Sequence, residues 1–557
     1  MSQRSLTIVI VGGVAGGASA ATRARRMNEQ AEIILFEQDE YVSFANCGLP
    51  YYLGGEITDR KQLLVATPEF LARRFRLDVR TRQEVQRIDR TAKTVSILNR
   101  GTGETTTQRY DKLILAPGAS PVVPPLEGAN ARHVFTLRNM ADTDQIKATL
   151  DAVGAKQAVV VGAGFIGLEM VEQLVHRGFQ TALAELLPQV LPLLDAEMAQ
   201  PLEQELRRQG VALYLGDGIQ RVLQDAAGAA VGIELQSGTR IEAGVVILGL
   251  GVRPQVRLAQ EAGLAIGPTG GIAINAYLQT SDPEIYAVGD AVEYPDGPTG
   301  SPARVPLAGP ANRAGRLAGE HAATGQCASL APVFGTAIVR VFEQTAGLTG
   351  LTTKMARRLG LPAQSVTIVA RDHAGYFPGS ELLTLKLLFA PGTGKILGAQ
   401  AVGRRGVDKR LDVIATVLAL QGTVRDLAGL DLAYAPPFGA AKDPLHMAAF
   451  AACNQLDGLE DFLDADADLL GQQVVDVRTA AEVQSQPLAG ASQARNIPVD
   501  ELRQRLGELD PQAPTVVSCA VGMRGHVASR ILRQNGFADV KNLSGGATVR
   551  NRAVRPD

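Results

Sequence analysis

Two cysteines stand in settings that could do sulfur chemistry. The first lies in Ser43-Phe-Ala-Asn46-Cys47-Gly-Leu-Pro-Tyr-Tyr52, with glycine and proline just behind the thiol. Position 52 is a tyrosine, so Cys47 has no neighbour with which to close a C-x-x-x-x-C disulfide. The thiolate is the reactive form, so a working Cys47 needs surroundings that lower its pKa. The second opens Cys519-Ala-Val-Gly-Met-Arg524-Gly-His-Val-Ala-Ser529, after a strand-type run and ahead of a helix-type run. Successive backbone N–H groups in such a loop make an anion-binding nest at a helix N-terminus, which lowers a cysteine's pKa and would hold a persulfide. Four residues separate Cys519 from Arg524, one fewer than in phosphatase loops of similar outline, and the tighter loop suits sulfur. Cys327 and Cys453 lack such surroundings and read as inert packing.

Two glycine turns supply the other chemistry. The apolar run Leu6–Val11 leads into Gly12, Gly13, Gly16 and Gly17, then a helix-forming stretch and a second strand that ends in Glu37. The same grammar recurs where Gln157–Val161 leads into Gly162-Ala-Gly164-Phe-Ile-Gly167, a helix, and a strand ending in Glu185. In such a turn the first glycine permits the bend, the second admits a pyrophosphate, and the third lets helix and strand pack closely. Gly162, Gly164 and Gly167 meet all three needs, whereas the first turn has Val14 at the second position. Each trailing acid sits where a ribose hydroxyl is bound. Leu186 and Leu187, not arginine, follow Glu185, so the second turn should favour a dinucleotide without a 2′-phosphate, which for a nicotinamide cofactor means NADH rather than NADPH.

The rest of the chain must position these groups. Its 557 residues are 46% hydrophobic and 20% charged, enough for several domains with real cores. A net charge of −2 gives no basic excess to suggest nucleic acid. No apolar run reaches the ~18–20 residues of a membrane helix, and the apolar start runs into glycines rather than a cleavage site. Four scattered cysteines, none in a C-x-x-C, suggest neither a metal site nor a disulfide framework, and a reducing cytoplasm fits best.

Further motifs carry a family resemblance. Thr280-Ser-Asp-Pro-Glu-Ile-Tyr-Ala-Val-Gly-Asp290 resembles the second flavin fingerprint of the two-dinucleotide-domain flavoprotein reductases, whose aspartate binds the FAD ribityl chain. Ala116-Pro-Gly118-Ala-Ser-Pro121 and Gly249-Leu-Gly-Val-Arg-Pro254 resemble that family's crossover segments, with Pro117 in place of the commoner threonine. The lone Cys47 places the chain near the single-cysteine branch: the coenzyme A-disulfide reductases, the NADH-dependent persulfide or polysulfide reductases, and the related NADH oxidases and peroxidases. The resemblance covers residues 6 to about 450.

It implies that the first turn, with Glu37 and Asp290, holds FAD, that the second holds NADH, and that Cys47 cycles between thiolate and a mixed disulfide with coenzyme A. Asp372-His-Ala-Gly-Tyr376-Phe-Pro-Gly379 and Leu432-Ala-Tyr434-Ala-Pro-Pro-Phe-Gly-Ala-Ala-Lys442-Asp443 match family segments whose two tyrosines flank the disulfide at the partner subunit's cysteine in a homodimer and whose lysine approaches coenzyme A. Phe377 stands where a second tyrosine is more usual. Ser43, Asn46, Arg23 and Arg26 are further candidates for binding coenzyme A. Asp476-Val-Arg478, Asn496-Ile-Pro498 and the Cys519–Arg524 loop resemble a rhodanese domain.

The expected fold is α/β: two Rossmann-like dinucleotide-binding domains, an α+β dimerisation domain and a C-terminal rhodanese-like domain. The boundaries read as FAD-binding 1–117 and 251–330, NADH-binding 118–250, dimerisation 331–452, acidic linker 453–467 and rhodanese 468–557. A glycine- and proline-rich join is expected near 290–330. The expected activity is NADH-dependent reduction of coenzyme A persulfide, polysulfide or coenzyme A disulfide, with Cys519 supplying sulfane sulfur. An NADH oxidase or peroxidase that cycles Cys47 through sulfenic acid, and a redox sensor with a docking rhodanese, are the alternatives.

Overall fold

A computed structural model describes residues 5–154 and 156–554. By their internal contacts they form two compact units, one of residues 1–186 and 217–335, the other of 187–216 and 336–557.

In the first unit, β1 (Thr7–Val11) leads into α1 (Ala15–Met27), and β2 (Glu32–Phe36) follows. The chain then passes Cys47 and enters the short helix α2 (Leu49–Gly54) before β3 (Lys112–Leu115). Strand β1 lies parallel between β2 and β3, with Val11 level with Phe36 and Leu115. The carboxyl ends of the three strands are therefore flush, and Gly12, Glu37 and Ala116 emerge side by side. Ligands of open α/β sheets bind at such an edge. The second nucleotide unit repeats the plan. Strand β4 (Gln157–Val161) precedes α3 (Phe165–His176) and β5 (Gln180–Glu185), and β4 lies parallel between β5 and β6 (Val245–Leu248). Strand β1 is buried throughout and β4 nearly so, as expected of short apolar strands inside a parallel sheet.

Strand β7 (Ile285–Ala287) returns to the first sheet beside β3. The join expected near 290–330 is largely a helix, α4 (Ala308–Thr324), packed on α1. A Cβ on Gly315 would lie 2.2 Å from the Gly16 carbonyl oxygen, and one on Gly319 would lie 2.2 Å from that of Ala20. Gly315 and Gly319 thus form a small-residue stripe that lets two helix backbones touch.

In the second unit, β8 (Ala337–Val341), β9 (Gln344–Gly350), β10 (Gln364–Arg371), β11 (Leu382–Phe389) and β12 (Ile396–Gly403) form an antiparallel sheet in the order β8-β9-β12-β11-β10. Helix α5 (Val407–Ala419) packs on it, and α6 (Pro444–Leu456) follows. The acidic stretch read as a linker contains a strand, β13 (Asp461–Leu463), paired in parallel with 541–543. It opens a second, parallel sheet with β14 (Gln473–Asp476), β15 (Arg495–Asn496), β16 (Thr515–Ser518) and β17 (Val540–Leu543), in the order β13-β17-β16-β14-β15. Helices α7 (Ala480–Ser485), α8 (Met523–Gln534) and α9 (Gly546–Ala553) complete this part. No helix among the described residues is long and apolar enough to cross a membrane.

The helix Ala196–Arg208, inside the stretch expected to bind NADH, clusters with the second unit. The cause is a buried charge cluster. Lys386 Nζ on β11 lies 2.8 Å from Asp195 and 2.6 Å from Glu197, and Gln400 Nε2 donates to Asp195 at 2.7 Å. Desolvation opposes charge on Asp195, but Lys386 and the hydrogen-bond donors outweigh it and hold the carboxyl down at about 2. Desolvation likewise opposes charge on Lys386, and the two carboxylates push its pKa up.

Asp195 therefore stabilises the fold fully above its unfolded pKa of ~3.9 and loses that contribution as pH falls toward about 2. Lys386 contributes fully below ~10.4 and loses its share only as pH rises past its raised value. Lys386→Ala leaves two carboxylates buried without their cation, which should cost about 3–5 kcal/mol at neutral pH. A urea midpoint equal to wild type would contradict this assignment.

Candidate functional site

Both nucleotide turns are built by contacts that only glycine allows. Gly12 has φ +95°, and a Cβ there would meet the Ala116 carbonyl oxygen at 2.1 Å. A Cβ on Gly17 would lie 1.8 Å from the Gly12 carbonyl oxygen. Gly13 and Gly16 press against Val42 and Val288, where a Cβ would come within 2.7 and 2.9 Å. In the second turn, Gly162 has φ +101° and a Cβ would lie 2.5 Å from the Gly249 carbonyl oxygen; one on Gly167 would lie 1.9 Å from that of Gly162. Gly164 differs, because nothing stands within 4 Å of the position its Cβ would take. That open space faces a helix start, where the first N–H groups lack intrahelical partners, and it fits a pyrophosphate.

The trailing acids close each turn in the same way. Glu37 accepts from the Gly13 N–H at 2.8 Å and the Asp39 N–H at 3.0 Å, and its burial pushes its pKa up. Glu185 accepts from the Ala163 N–H at 2.7 Å. Asp290 lies in a 3-10 turn, Gly289–Ala291, with Arg138 Nη2 at 3.3 Å. Gly118 has φ +72°, and a Cβ there would meet the same guanidinium at 2.8 Å.

Cys47 sits in a 3-10 turn, Asn46–Gly48, that runs directly into α2. Its side chain is exposed. The sequence led us to expect a lowered pKa, but the structure has it raised. Desolvation by surrounding protein is the largest cause, the carboxylates of Glu169 and Asp290 add to it, and Arg138 opposes them. Glu169, on α3, was not singled out from the sequence, and it accepts from the Tyr51 hydroxyl at 3.2 Å. Arg177 Nη1 donates to the Leu53 carbonyl at 3.1 Å and Gln173 Nε2 to Glu56 at 2.7 Å, so the end of α3 is tied to the helix that follows Cys47.

The candidates for coenzyme A divide. Asn46 borders Cys47 and is tied to Arg138 by a donated bond of 3.1 Å and an accepted one of 3.3 Å. Ser43 is held at φ +47°, left-handed backbone that a serine enters only under constraint. Its N–H donates to the Gly13 carbonyl at 2.9 Å, which joins the cysteine loop to the first turn. Arg23 is engaged elsewhere, since its guanidinium binds Glu320 of α4 at 2.6 Å. Arg26 bonds back to its own helix at the Thr22 carbonyl, 3.0 Å away, and lies over the Phe75 ring.

In the second unit the two expected tyrosines come together. Tyr376 and Tyr434 are both exposed and their hydroxyls are 3.0 Å apart, a bond that raises the pKa of Tyr376. Lys442 is exposed nearby in sequence. The loops meet because a buried arginine on α5 ties them: Arg410 donates to the Asp372 carbonyl at 2.6 Å and forks onto Asp443 at 3.2 and 2.7 Å. The Ala374 N–H donates to the Gly439 carbonyl at 2.9 Å.

The C-terminal loop is a nest as expected. Cys519 is fully buried and its Sγ accepts from the Gly522 N–H at 3.1 Å. Arg524 is held in a fork by Glu482, at 2.6 and 2.9 Å, and this bond raises its pKa, with a smaller contribution from the charge of Cys519. Glu482 is itself fixed by a capping box with Thr479 at the start of α7. The spacing Thr479-x-x-Glu482 was a legible capping signal, but its link to Arg524 was not. Asp476 and Arg478 pair in the buried base of the loop at 2.6 Å, and Asn496 Nδ2 donates to both of their carbonyls, at 2.9 and 2.8 Å.

Flush strand ends, two glycine turns and a lone cysteine beside the first of them define a dinucleotide-dependent oxidoreductase acting on sulfur. Comparison with known proteins agrees. The model of the pyridine nucleotide-disulphide oxidoreductases matches residues 6–312, that of their dimerisation domain 336–444, and that of the rhodanese-like domain 458–549. The chain belongs to the pyridine nucleotide-disulphide oxidoreductase family. It is similar to the coenzyme A disulfide reductase of Staphylococcus haemolyticus, 35% identical over 80% of this chain and 99% of that one. The structure of reduced Bacillus anthracis CoADR-RHD superposes with a TM-score of 0.94 at 44% identity, over 99% of this chain and 98% of that one. The NAD-dependent persulfide reductase of A. fulgidus gives 0.90 at 37% identity, over 98% and 100%.

The charges around Cys47 make a direct test. In the cofactor-free protein, alkylation of Cys47 by iodoacetamide should show a pH midpoint above the ordinary thiol value of ~8.5. Glu169→Gln should move that midpoint down, and Arg138→Gln should move it up, each by about one pH unit or less. A midpoint below that of a free cysteine would overturn this electrostatic picture.

Proposed function

We propose that the protein passes electrons from NADH through FAD to Cys47, which reduces coenzyme A persulfide, polysulfide or coenzyme A disulfide, and that Cys519 supplies the sulfane sulfur. The observation that carries this reading is the lone Cys47 in the 3-10 turn beside the first nucleotide turn and Asp290, in the same chain as a complete Cys519 nest. Its relatives bear the names of coenzyme A disulfide reductase and persulfide reductase.

Residues 1–117 and 251–330 hold FAD through Gly12, Gly13, Gly16, Gly17, Glu37, Ala116, Gly118 and Asp290. Residues 118–250 hold NADH through Gly162, Gly164, Gly167 and Glu185. Bound flavin supplies the exchange between hydride and an electron pair on sulfur. Opening of a Cys47–coenzyme A disulfide breaks the S–S bond and leaves both sulfurs as thiolates. The Cys47 thiolate then attacks the coenzyme A-side sulfur of a persulfide, re-forming the mixed disulfide and expelling hydrosulfide. With coenzyme A disulfide the leaving group is coenzyme A thiolate.

Residues 331–452 form a homodimer, in which Tyr376, Tyr434 and Lys442 serve the partner's cysteine. The paired hydroxyls hold a proton between them, suited to stabilising a departing thiolate. Ser43 and Asn46 line the pantetheine arm, and Arg23 meets phosphate by exchanging Glu320 for it. Residues 468–557 act as the sulfurtransferase. The four cysteines are all free thiols, in keeping with the cytoplasm.

Cys47→Ser should keep FAD and its reduction by NADH but lose turnover with disulfide and persulfide, and wild-type turnover in that variant would sink the reading. NADH consumed faster with oxygen than with sulfur compounds would favour an oxidase instead. Glu185 lies on the turn's own N–H, where it repels a 2′-phosphate. The catalytic efficiency with NADPH should fall below that with NADH by about 1–3 kcal/mol, roughly 5- to 150-fold. Equal efficiencies would contradict this role for Glu185.

A further inference from the structure

Helix α8 carries a feature that the chemistry of Cys519 does not use. Along its exposed side runs a cleft of about 390 Å³, lined by Arg503, Leu506, His526, Val527, Arg530 and Ile531 among others. None of its lining residues is acidic. Arg503 is exposed and makes no ion pair or hydrogen bond among the described residues. Arg530 donates one N–H to the Leu459 carbonyl and keeps its remaining donors. His526 bonds through Nδ1 to the buried Glu460 at 2.7 Å, which raises its pKa. The charged groups facing the cleft are thus two arginines and a histidine whose counter-ion lies beneath the surface. Its apolar floor is Leu506, Val527 and Ile531.

One end of the cleft adjoins the sulfur loop. The His526 N–H donates to the Gly522 carbonyl at 2.9 Å, and the Gly522 N–H donates to Cys519 Sγ at 3.1 Å. The cleft then follows α8 from His526 to Asn535, roughly 13 Å at 1.5 Å per residue. An extended ligand lying along it would have one end at His526, four residues along the chain from Gly522, whose N–H meets the buried Cys519.

We propose that this cleft is a second coenzyme A site, on the rhodanese part, which seats the phosphate end on Arg503 and Arg530 and delivers the thiol to Cys519. The proposal rests on the reading of Cys519 as sulfur donor to coenzyme A. Cys519 is loaded when its thiolate takes the outer sulfur of thiosulfate and sulfite leaves. The coenzyme A thiolate then attacks the outer sulfur of the Cys519 persulfide. A new S–S bond forms on coenzyme A, the bond to Cys519 breaks, and Cys519 leaves as a thiolate, with no net change in electron count.

Sulfur transfer from thiosulfate should be measured in the full-length holoenzyme with coenzyme A, pantetheine or cyanide as acceptor, in wild type and in Arg503→Glu. The wild type should use coenzyme A at a lower KM than pantetheine. Arg503→Glu should raise the KM for coenzyme A roughly tenfold or more, as expected for replacing one charge-assisted contact with a repulsion. It should leave the pantetheine and cyanide reactions unchanged, which also shows that the domain is folded. It should also leave NADH turnover with preformed coenzyme A persulfide unchanged, because that substrate is used at Cys47. If wild type transfers to coenzyme A but Arg503→Glu does so with unchanged KM, or if pantetheine serves as well as coenzyme A, the cleft is not the site and the sulfurtransferase reading stands. If wild type transfers to cyanide but not to coenzyme A, the carrier role fails and the cleft proposal fails with it.

Discussion

The chemistry of the first unit depends on backbone coming closer to backbone than any side chain permits. A Cβ on Gly17 or Gly167 would lie within 2 Å of the carbonyl oxygen of Gly12 or Gly162, respectively. Without those contacts neither α1 nor α3 could spring directly from its strand with its first N–H groups facing the strand ends. The same constraint extends outward, for Gly315 and Gly319 of α4 approach the carbonyls of Gly16 and Ala20 as closely. The Ser43 N–H in turn hangs from the Gly13 carbonyl, so the loop that carries Cys47 takes its position from the glycine turn.

Cys519 and Cys47 stand in different surroundings. Cys519 is buried, with the Gly522 N–H pointing at its sulfur and Arg524 within electrostatic reach. Cys47 is exposed, but desolvation, Glu169 and Asp290 outweigh Arg138 and raise its pKa. A thiol in that state is quiet until something bound beside it changes the balance.

Legibility in the sequence followed distance along the chain. The glycine turns, the trailing acids and the Cys519 loop each lie within a short span, and their backbone demands are local. The partners that sequence reading missed are remote. Arg23 meets Glu320, 297 residues away. Lys386 reaches back 189 residues to Glu197 and draws a helix of the expected NADH stretch into the other unit. Arg410 and Asp443 are 33 apart and bring Tyr376 to Tyr434, a pairing that motif matching anticipated without its cause. Composition misled where packing reversed its usual meaning. Acidic residues around 457–468 read as linker, yet Phe462 and Leu463 make a strand at the sheet edge.

The second unit also constrains how sulfur can travel. The rhodanese part is fastened to the antiparallel sheet. The Thr367 N–H of β10 donates to Ser544 at 2.7 Å, Arg552 donates to Thr384 at 2.9 Å, and Val369, Ala465 and Val549 pack together. Helix α9, which carries Val549 and Arg552, also holds the sulfur loop, because the Ala547 N–H donates to the Cys519 carbonyl at 2.8 Å. Strand β10 runs on through Arg371 into the loop of Tyr376. Cys519 and the tyrosine pair therefore belong to one cross-braced body, and Cys519 is fully buried at the base of its loop. A swinging domain would have to break these bonds and expose Val369 and Val549 at each turnover. A small thiol on a long flexible arm would break none of them. The fold thus favours a diffusible carrier over domain motion, and a carrier bearing phosphates gains a handle that the bare thiol lacks.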